Sequence, residues 1–189
     1  MTNPVTIIMI EDDEGHARLI ERNIRRSGVN NEIMSFTDGT SAVHYLFGQD
    51  GTGSARKGQA LLVLLDLNLP DMTGIDILKR IKEKGGAAFV QNPREAEFNE
   101  MPRNAIATEM IDDILNVAEI PARIVAYKES LGTVAIPVEP EQRAEDQQQA
   151  LREVFTQLRM RTGHDFSNYK RPTLLRRIER RINIRNLPN

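Results

Sequence analysis

The chain has 189 residues, a mass of 21.4 kDa, 40% apolar residues and 28% charged ones. That is one ordinary domain, or one domain with a short appendage, and enough apolar residues for a real core. Cysteine is absent, which excludes disulfides and thiolate metal sites and makes the cytoplasm the default location. No apolar run is long enough to cross a bilayer. The opening stretch MTNPVTIIMIEDD lacks the basic region of a secretory signal, so none is expected.

The elements in chain order start with Val5 to Ile10, an apolar, β-branched run that reads as a buried parallel strand. Glu11, Asp12, Asp13 and Glu14 stop it. A helix follows from about His16 to Ser27, with Ala17, Ile20 and Ile24 on one face, Leu19 beside them and Gly28 as terminator. Glu32 to Phe36 is a weaker strand. Asp38 to Thr40 reads as a turn, and Ala42, Val43, Leu46 and Phe47 mark a short second helix. Gly48 to Gln59 is a long loop. Ala60 to Leu65 is the clearest strand and ends at Asp66. Pro70 and Gly74 break the chain. Ile75, Leu78 and Ile81 mark a third helix, stopped by Gly85 and Gly86.

Ala87 to Val90 predicts a fourth strand. Glu97 to Thr108 predicts a helix that starts or kinks at Pro102. Ile114, Leu115 and Val117 suggest a fifth strand. Pro121 opens a helix whose stripe is Ile120, Ile124, Tyr127 and Leu131. This βα order predicts an α/β fold with a doubly wound, five-stranded parallel sheet. Ligands in such folds sit beyond the carboxyl ends of the strands.

Residues 133–149, with prolines, acids and a glutamine run, read as a linker. Helical periodicity then returns. Leu151, Val154, Phe155, Leu158 and Thr162 share one face. A last helix from about Pro172 turns Leu174, Leu175, Ile178 and Ile182 inward. Two helices this short need each other or another surface. The charge divides at the same place. Residues 1–150 hold 15 Lys and Arg against 24 Asp and Glu, while residues 151–189 hold 10 against 3. The cations of the tail suit an acidic protein, a phosphate backbone or the front of the same molecule.

Two strand ends carry the acids. Glu11 and Asp12 follow the first strand and Asp66 follows the third, so three carboxylates converge if those strands are neighbours. Carboxylates that close repel unless a cation neutralises them. Hard oxygen donors favour magnesium or calcium over zinc. A carboxylate beside such an ion can act as a nucleophile toward a phosphoryl group. Solvated acids at strand ends are the plain alternative.

The stretches TIIMIEDDEGHARLI and LLVLLDLNLPDMTGIDILKRIK, within residues 5–85, resemble the receiver domain of two-component response regulators, a flavodoxin-like fold. The Glu-Asp pair and the long loop resemble most the receivers paired with bacteriophytochrome-type histidine kinases. The resemblance implies a phosphoacceptor at Asp66. It implies magnesium held by Glu11, Asp12, Asp66 and the backbone carbonyl of Asn68, with a histidine kinase as partner. It then lapses. Receivers have a Thr or Ser at the end of strand four and a Lys before Pro at the end of strand five. Here Gln91 or Asn92 stands at the first place, and DDILNVAEIP has no lysine at the second. Phosphorylation is therefore expected to be impaired, and its readout more so than metal binding.

Residues 82–131, with the Gly-Gly turn, VQNP and MPRNAI, resemble the end of the catalytic domain of the chemotaxis-receptor methylesterase, a Ser-His-Asp hydrolase. The family's aspartate would fall at or near Thr73. Its nucleophile and histidine regions are not in this stretch, and His16, His44 and His164 read as surface or packing residues. Methylesterase activity is not expected. Residues 151–186, with TGHDFSNYKRPTLLRRIERRINI, resemble the N-terminal helices of the chemotaxis-receptor methyltransferase. That resemblance implies docking on a chemotaxis receptor or another acidic protein through Arg176, Arg177, Arg180 and Arg181. No glycine-rich loop for a methyl-donor cofactor is seen, so methyl transfer is not expected. Tyr169 alone could stack on a base, and nucleic acid is not expected as a partner. Membrane insertion is not expected either, and oligomerisation is left open.

The expected organisation is a receiver-like α/β domain over residues 1–132, composite after about residue 82, a linker over 133–149 and a partial basic helical module over 150–189. The composite reads equally as a recombined or engineered chain, a gene remnant, or a natural regulator with a divergent second half. The leading function is Mg-dependent phosphoryl acceptance on Asp66. The alternative is a non-enzymatic adaptor or remnant of the methylesterase/methyltransferase adaptation system.

Overall fold

The structure, a computed structural model, describes residues 5–48, 60–130, 145–164 and 171–185. The chain forms two compact units, residues 1–81 with 107–110, and residues 82–106 with 111–189. Five strands, all parallel to their ladder neighbours, alternate with helices through residue 130, which gives the expected α/β class. The ladders are a three-stranded group in the order β2-β1-β3 and a pair, β4-β5.

In the first unit β1 (Thr6–Ile10) is central and buried along its whole length. It pairs with β2 (Ile33–Phe36) on one side and β3 (Leu61–Leu65) on the other. A strand covered on both faces needs no polar alternation, which is why this stretch reads as a continuous apolar run. Its register with β3 sets Ile10 beside Leu65. The residues that follow each strand, Glu11 and Asp66, therefore leave the sheet at the same edge. Asp66 N–H donates to the Ile10 carbonyl at 3.0 Å, which locks that alignment. Beneath it, Ile8, Ile10, Ala42, Val43 and Ile77 form the buried core.

The helices start where polar side chains satisfy free N–H groups. Asp13 caps α1 (Glu14–Arg26), which ends at Ser27 with Gly28 at φ 85°. The stripe Ala17, Ile20 and Ile24 is half-buried, while Leu19 is exposed. Asp38 caps α2 (Gly39–Phe47), so the expected turn at residues 38–40 is the cap and first residues of a helix. Next, α3 (Gly74–Glu83) begins against the end of β3. Much of the expected loop after Gly48 lies outside the described residues.

In the second unit β4 (Phe89–Gln91) pairs with β5 (Asp113–Leu115). Pro102 is in the first turn of α4 (Glu100–Ala107), where its missing N–H costs no hydrogen bond. A short 3₁₀ turn, Val117–Glu119, takes Val117 out of the fifth strand and leads into α5 (Ile120–Ser130). Tyr127 packs edge-on to Phe89, with ring centroids 5.9 Å apart, and the Arg123 guanidinium lies 5.3 Å above the same ring.

The tail forms α6 (Glu145–Thr162) and α7 (Arg171–Arg185). Residues 145–149, read from composition as linker, are the first turns of α6. Glu145 and Asp146 favour that end because they face the positive pole of the helix. Leu131, the rest of the expected linker, 133–144, and Tyr169 lie outside the described residues. Leu151, Leu174, Leu175 and Ile184 are buried, whereas Val154 is exposed. No described helix is long and apolar enough to cross a membrane.

Candidate functional site

The strand ends predicted to converge do so. Glu11, Asp12 and Asp66 each bring a carboxylate oxygen into a group whose members lie within 4.8 Å of one another. Glu11 is the inner member, its side chain only 13% exposed. It accepts the Asp13 N–H at 3.3 Å, which holds the turn between β1 and α1. Asp12 is exposed. Asp66 is half-buried and accepts the Leu67 N–H at 2.8 Å.

Electrostatics follow from that packing. Burial pushes the Glu11 carboxyl above its ordinary range, and the charges of Asp66 and Asp12 push the same way. The Asp13 N–H and His16 act against them. Proximity of like charges in a partly dry site is the condition a divalent cation relieves. The donors are all hard oxygens, which fits magnesium. Asn68 forms an isolated antiparallel bridge with Thr73, closing the turn after β3.

Gly74 decides how tightly that turn closes. A Cβ there would stand 2.1 Å from the Asp66 carbonyl oxygen and 2.7 Å from the Leu67 Cα. Only glycine lets α3 begin this close to the acidic strand end. The Gly74 N–H donates to the Leu67 carbonyl at 2.9 Å. Thr73, the residue nearest the methylesterase aspartate position, is occupied with the start of α3. Its hydroxyl donates to Asp76 Oδ2 at 2.8 Å.

Two acids missed by sequence reasoning hold the fold. Asp71 receives the Gly39 N–H at 2.8 Å, the Thr40 N–H at 2.7 Å and the Thr40 hydroxyl. These bonds, the Thr40 hydroxyl first, lower its carboxyl to about 2. In the second unit Asp112 is buried and accepts from Lys82, Arg181 and the Ala88 N–H. Neither has a sequence signal beyond being an acid near a turn or strand.

Other expected residues are scattered. Asn92 is committed locally. Its N–H donates to the Leu115 carbonyl, its side-chain amide donates to Asn116 Oδ1 at 3.1 Å, and its Oδ1 accepts the Arg94 N–H. No hydroxyl follows β4 and no lysine follows β5. His44 lines an open groove of about 430 Å³ with Phe36, Thr40, Ser41 and Tyr45. Among the tail arginines, Arg177 is exposed and Arg181 pairs with Asp112, while Arg176 and Arg180 lie on the same helix.

A parallel α/β unit with an acidic cluster at the ends of two adjacent strands has the architecture of a receiver. Residues 1 to about 130 have a receiver-domain fold, joined to segments that match two chemotaxis families. One is CheB methylesterase, over residues 58–124, and the other is the all-alpha domain of CheR methyltransferase, over residues 149–189. The chain is thus a chimera of three kinds of segment. The fold is similar to that of the bacteriophytochrome response regulator AtBRR, at TM-score 0.50 and 19% identity over 72% of this chain and 98% of that one. A response regulator receiver domain from Rhodospirillum rubrum is 45% identical, covering 70% of this chain and 96% of that one, with TM-score 0.47.

A probable methanogenesis regulatory protein FilR2 from Methanothrix harundinacea is 32% identical over 116 residues, 61% of this chain and 66% of that one. The chain spans 13% and 53% of the next two curated relatives. The methylesterase match begins at residue 58, ahead of the boundary near residue 82 read from sequence, and so overlaps the receiver resemblance through β3 and α3. Residues 58–124 contain neither Ser nor His, so this segment cannot assemble a Ser-His-Asp triad. The matches to the two chemotaxis families cover residues 58–124 and 149–189 of the chain.

Proposed function

We propose that this chain is a response-regulator receiver that accepts a phosphoryl group on Asp66 from a phosphohistidine of a histidine kinase. The supporting observation is the convergence of Glu11, Asp12 and Asp66 within 4.8 Å at the ends of β1 and β3. In this reading Glu11, Asp12, Asp66 and the Asn68 carbonyl hold magnesium. Held there, the ion would neutralise the oxygens of the phosphoryl group. Asp66 is the nucleophile. Its carboxylate oxygen bonds to phosphorus as the phosphorus–nitrogen bond of the donor breaks and the imidazole takes a proton. The Asp13 N–H fixes Glu11, the Leu67 N–H holds the Asp66 carboxylate, and Gly74 lets the turn after Asp66 close tightly.

Without the hydroxyl and lysine typical of receivers, acceptance outlives switching: phosphate is taken up but its readout is weak. The test is magnesium-dependent beryllofluoride binding by fluorine NMR, together with hydroxylamine-sensitive labelling from a small acyl phosphate. Both should occur in the native chain and vanish in Asp66→Asn with the fold intact. Equal uptake by that variant overturns the assignment.

A second reading, a non-enzymatic adaptor that docks an acidic chemotaxis protein through the tail, is favoured by the exposed Arg177 and the match of residues 149–189. It gains if the chain binds no beryllofluoride yet binds an acidic receptor segment and loses that binding in Arg177→Glu.

A further inference from the structure

We propose that the Arg181–Asp112 ion pair masks one arginine of a docking face on α7, and that an acidic peptide segment draws Arg181 off Asp112 as it binds. The inference rests on the adaptor reading of the tail and concerns how that docking face is regulated. Along its length α7 holds six arginines against one acid, Glu179. Arg177 and Arg181 are four residues apart, which sets them on one face of the helix, and both are exposed. Arg181 bonds to Asp112 Oδ1. Its own side chain is 54% exposed, that of the acid 2%.

Asp112 does not depend on that arginine. Its other oxygen takes Lys82 and the Ala88 N–H. A buried carboxylate must keep a cation, and Lys82 remains when Arg181 leaves. An ion pair whose cation is half in water is weak, so the exchange costs little. The helix need not move either. Leu174, Leu175 and Ile184 are buried, and Arg123, bound to Asp113 at 2.7 Å, donates to the Ile184 carbonyl. Those contacts anchor α7 while the Arg181 side chain turns outward to join Arg177. The ligand class follows from what Arg181 already holds. Its guanidinium is seated on a carboxylate, and a partner's carboxylate replaces that bond like for like. A purely structural pair, the ordinary role of such a contact, would keep Arg181 on Asp112 whatever binds at Arg177.

The probe is a fluorescein-labelled decaglutamate peptide, with affinity read by anisotropy. It is titrated with the full chain, Asp112→Asn, Arg181→Gln, the double variant and Arg177→Gln. Asp112→Asn should bind about fivefold or more tighter than the native chain, and the gain should vanish in the Arg181→Gln background. No gain, or the same gain with and without Arg181, overturns the latch, because the second is only the effect of one lost negative charge. Asp112→Asn alters a buried group, so the native chain supplies an independent readout by NMR. Adding the peptide should shift the Nε–H signals of Arg177 and Arg181 and the amide of Ala88, which shares the Asp112 carboxylate. Movement of Arg177 alone overturns the latch and leaves tail docking standing. Absence of binding in every form, or binding indifferent to Arg177→Gln, overturns tail docking and the latch with it. Tighter binding to a short DNA duplex than to the peptide overturns the acidic-peptide assignment in favour of nucleic acid.

Discussion

Arg181 of α7 forms an ion pair with Asp112, a carboxylate 69 residues earlier that is only 2% exposed. The other Asp112 oxygen takes Lys82 and the Ala88 N–H at 2.8 Å. Close by, Arg123 of α5 binds Asp113 at 2.7 Å and donates to the Ile184 carbonyl of α7. Leu174, Leu175 and Ile184 are buried on the same helix. The surface that α7 needs is therefore supplied within its own unit, by α5 and a buried acid. One of the four arginines expected to dock a partner is already engaged internally.

Removing the buried acid strands Lys82 and the Ala88 N–H. Asp112→Ala should lower stability by about 2–3 kcal/mol. Arg181 is more than half exposed, and Arg181→Ala should cost less than about 1 kcal/mol. Urea unfolding of both variants checks the ranking. Equal losses would mean that α7, rather than the acid, carries the contact.

Gly74→Ala drives a methyl into the Asp66 carbonyl, a backbone atom that cannot swing aside. Overpacking costs typically about 1–3 kcal/mol. The relief open to the chain is to shift the end of β3. The variant should melt lower and bind magnesium more weakly than the native chain, which thermal scans with and without the ion would show.

The depressed Asp71 carboxyl predicts an acid dependence. Its folded value, about 2, lies below the ordinary 3.8. Its contribution is fully present above the ordinary value and is lost as pH falls from about 4 through about 2. Asp71→Asn should lower stability at neutral pH and lose less than the native chain across that interval. Urea midpoints measured at pH 7 and along an acid series decide it.

Glu11 behaves oppositely. Its raised carboxyl disfavours the charged form in the folded, metal-free chain. Stability from this group is therefore gained as pH falls through its folded value. Glu11→Gln should stabilise the metal-free chain at neutral pH while weakening magnesium binding by about tenfold or more. Calorimetric titration and thermal scans of the same variant test both signs. A variant that loses stability as well would show that the carboxylate is needed for the turn rather than for the ion.

The first three βα units were legible because each signal is local. Continuous apolar runs mark β1 and β3, Asp13 caps α1, and Gly28 and Gly85 end helices with positive φ. The strand-end acids were legible for the same reason, since parallel neighbours finish at the same edge. Composition misled where a helix follows polar sequence. The run at residues 147–149 reads as linker, yet α6 includes it, because acids at the helix start and a buried Leu151 outweigh the weak pattern. In β5, Val117 belongs to a 3₁₀ turn because the chain must bend there toward α5.

By itself the sequence determined the α/β class, the alternation of strands and helices, the acids at two strand ends and the division between an acidic front and a basic tail. These depend on periodicity, caps and residue type, all of which act between near neighbours. Only the tertiary structure decided that Asp71 clamps the start of α2, that Gly74 sets the distance to Asp66, that His16 reaches Glu11 and that Asp112 gathers Lys82 and Arg181. Each joins residues through the packed fold or through turn geometry. A carboxylate or imidazole looks the same in a linear string whether it ends in water or in a partner's hydrogen bond.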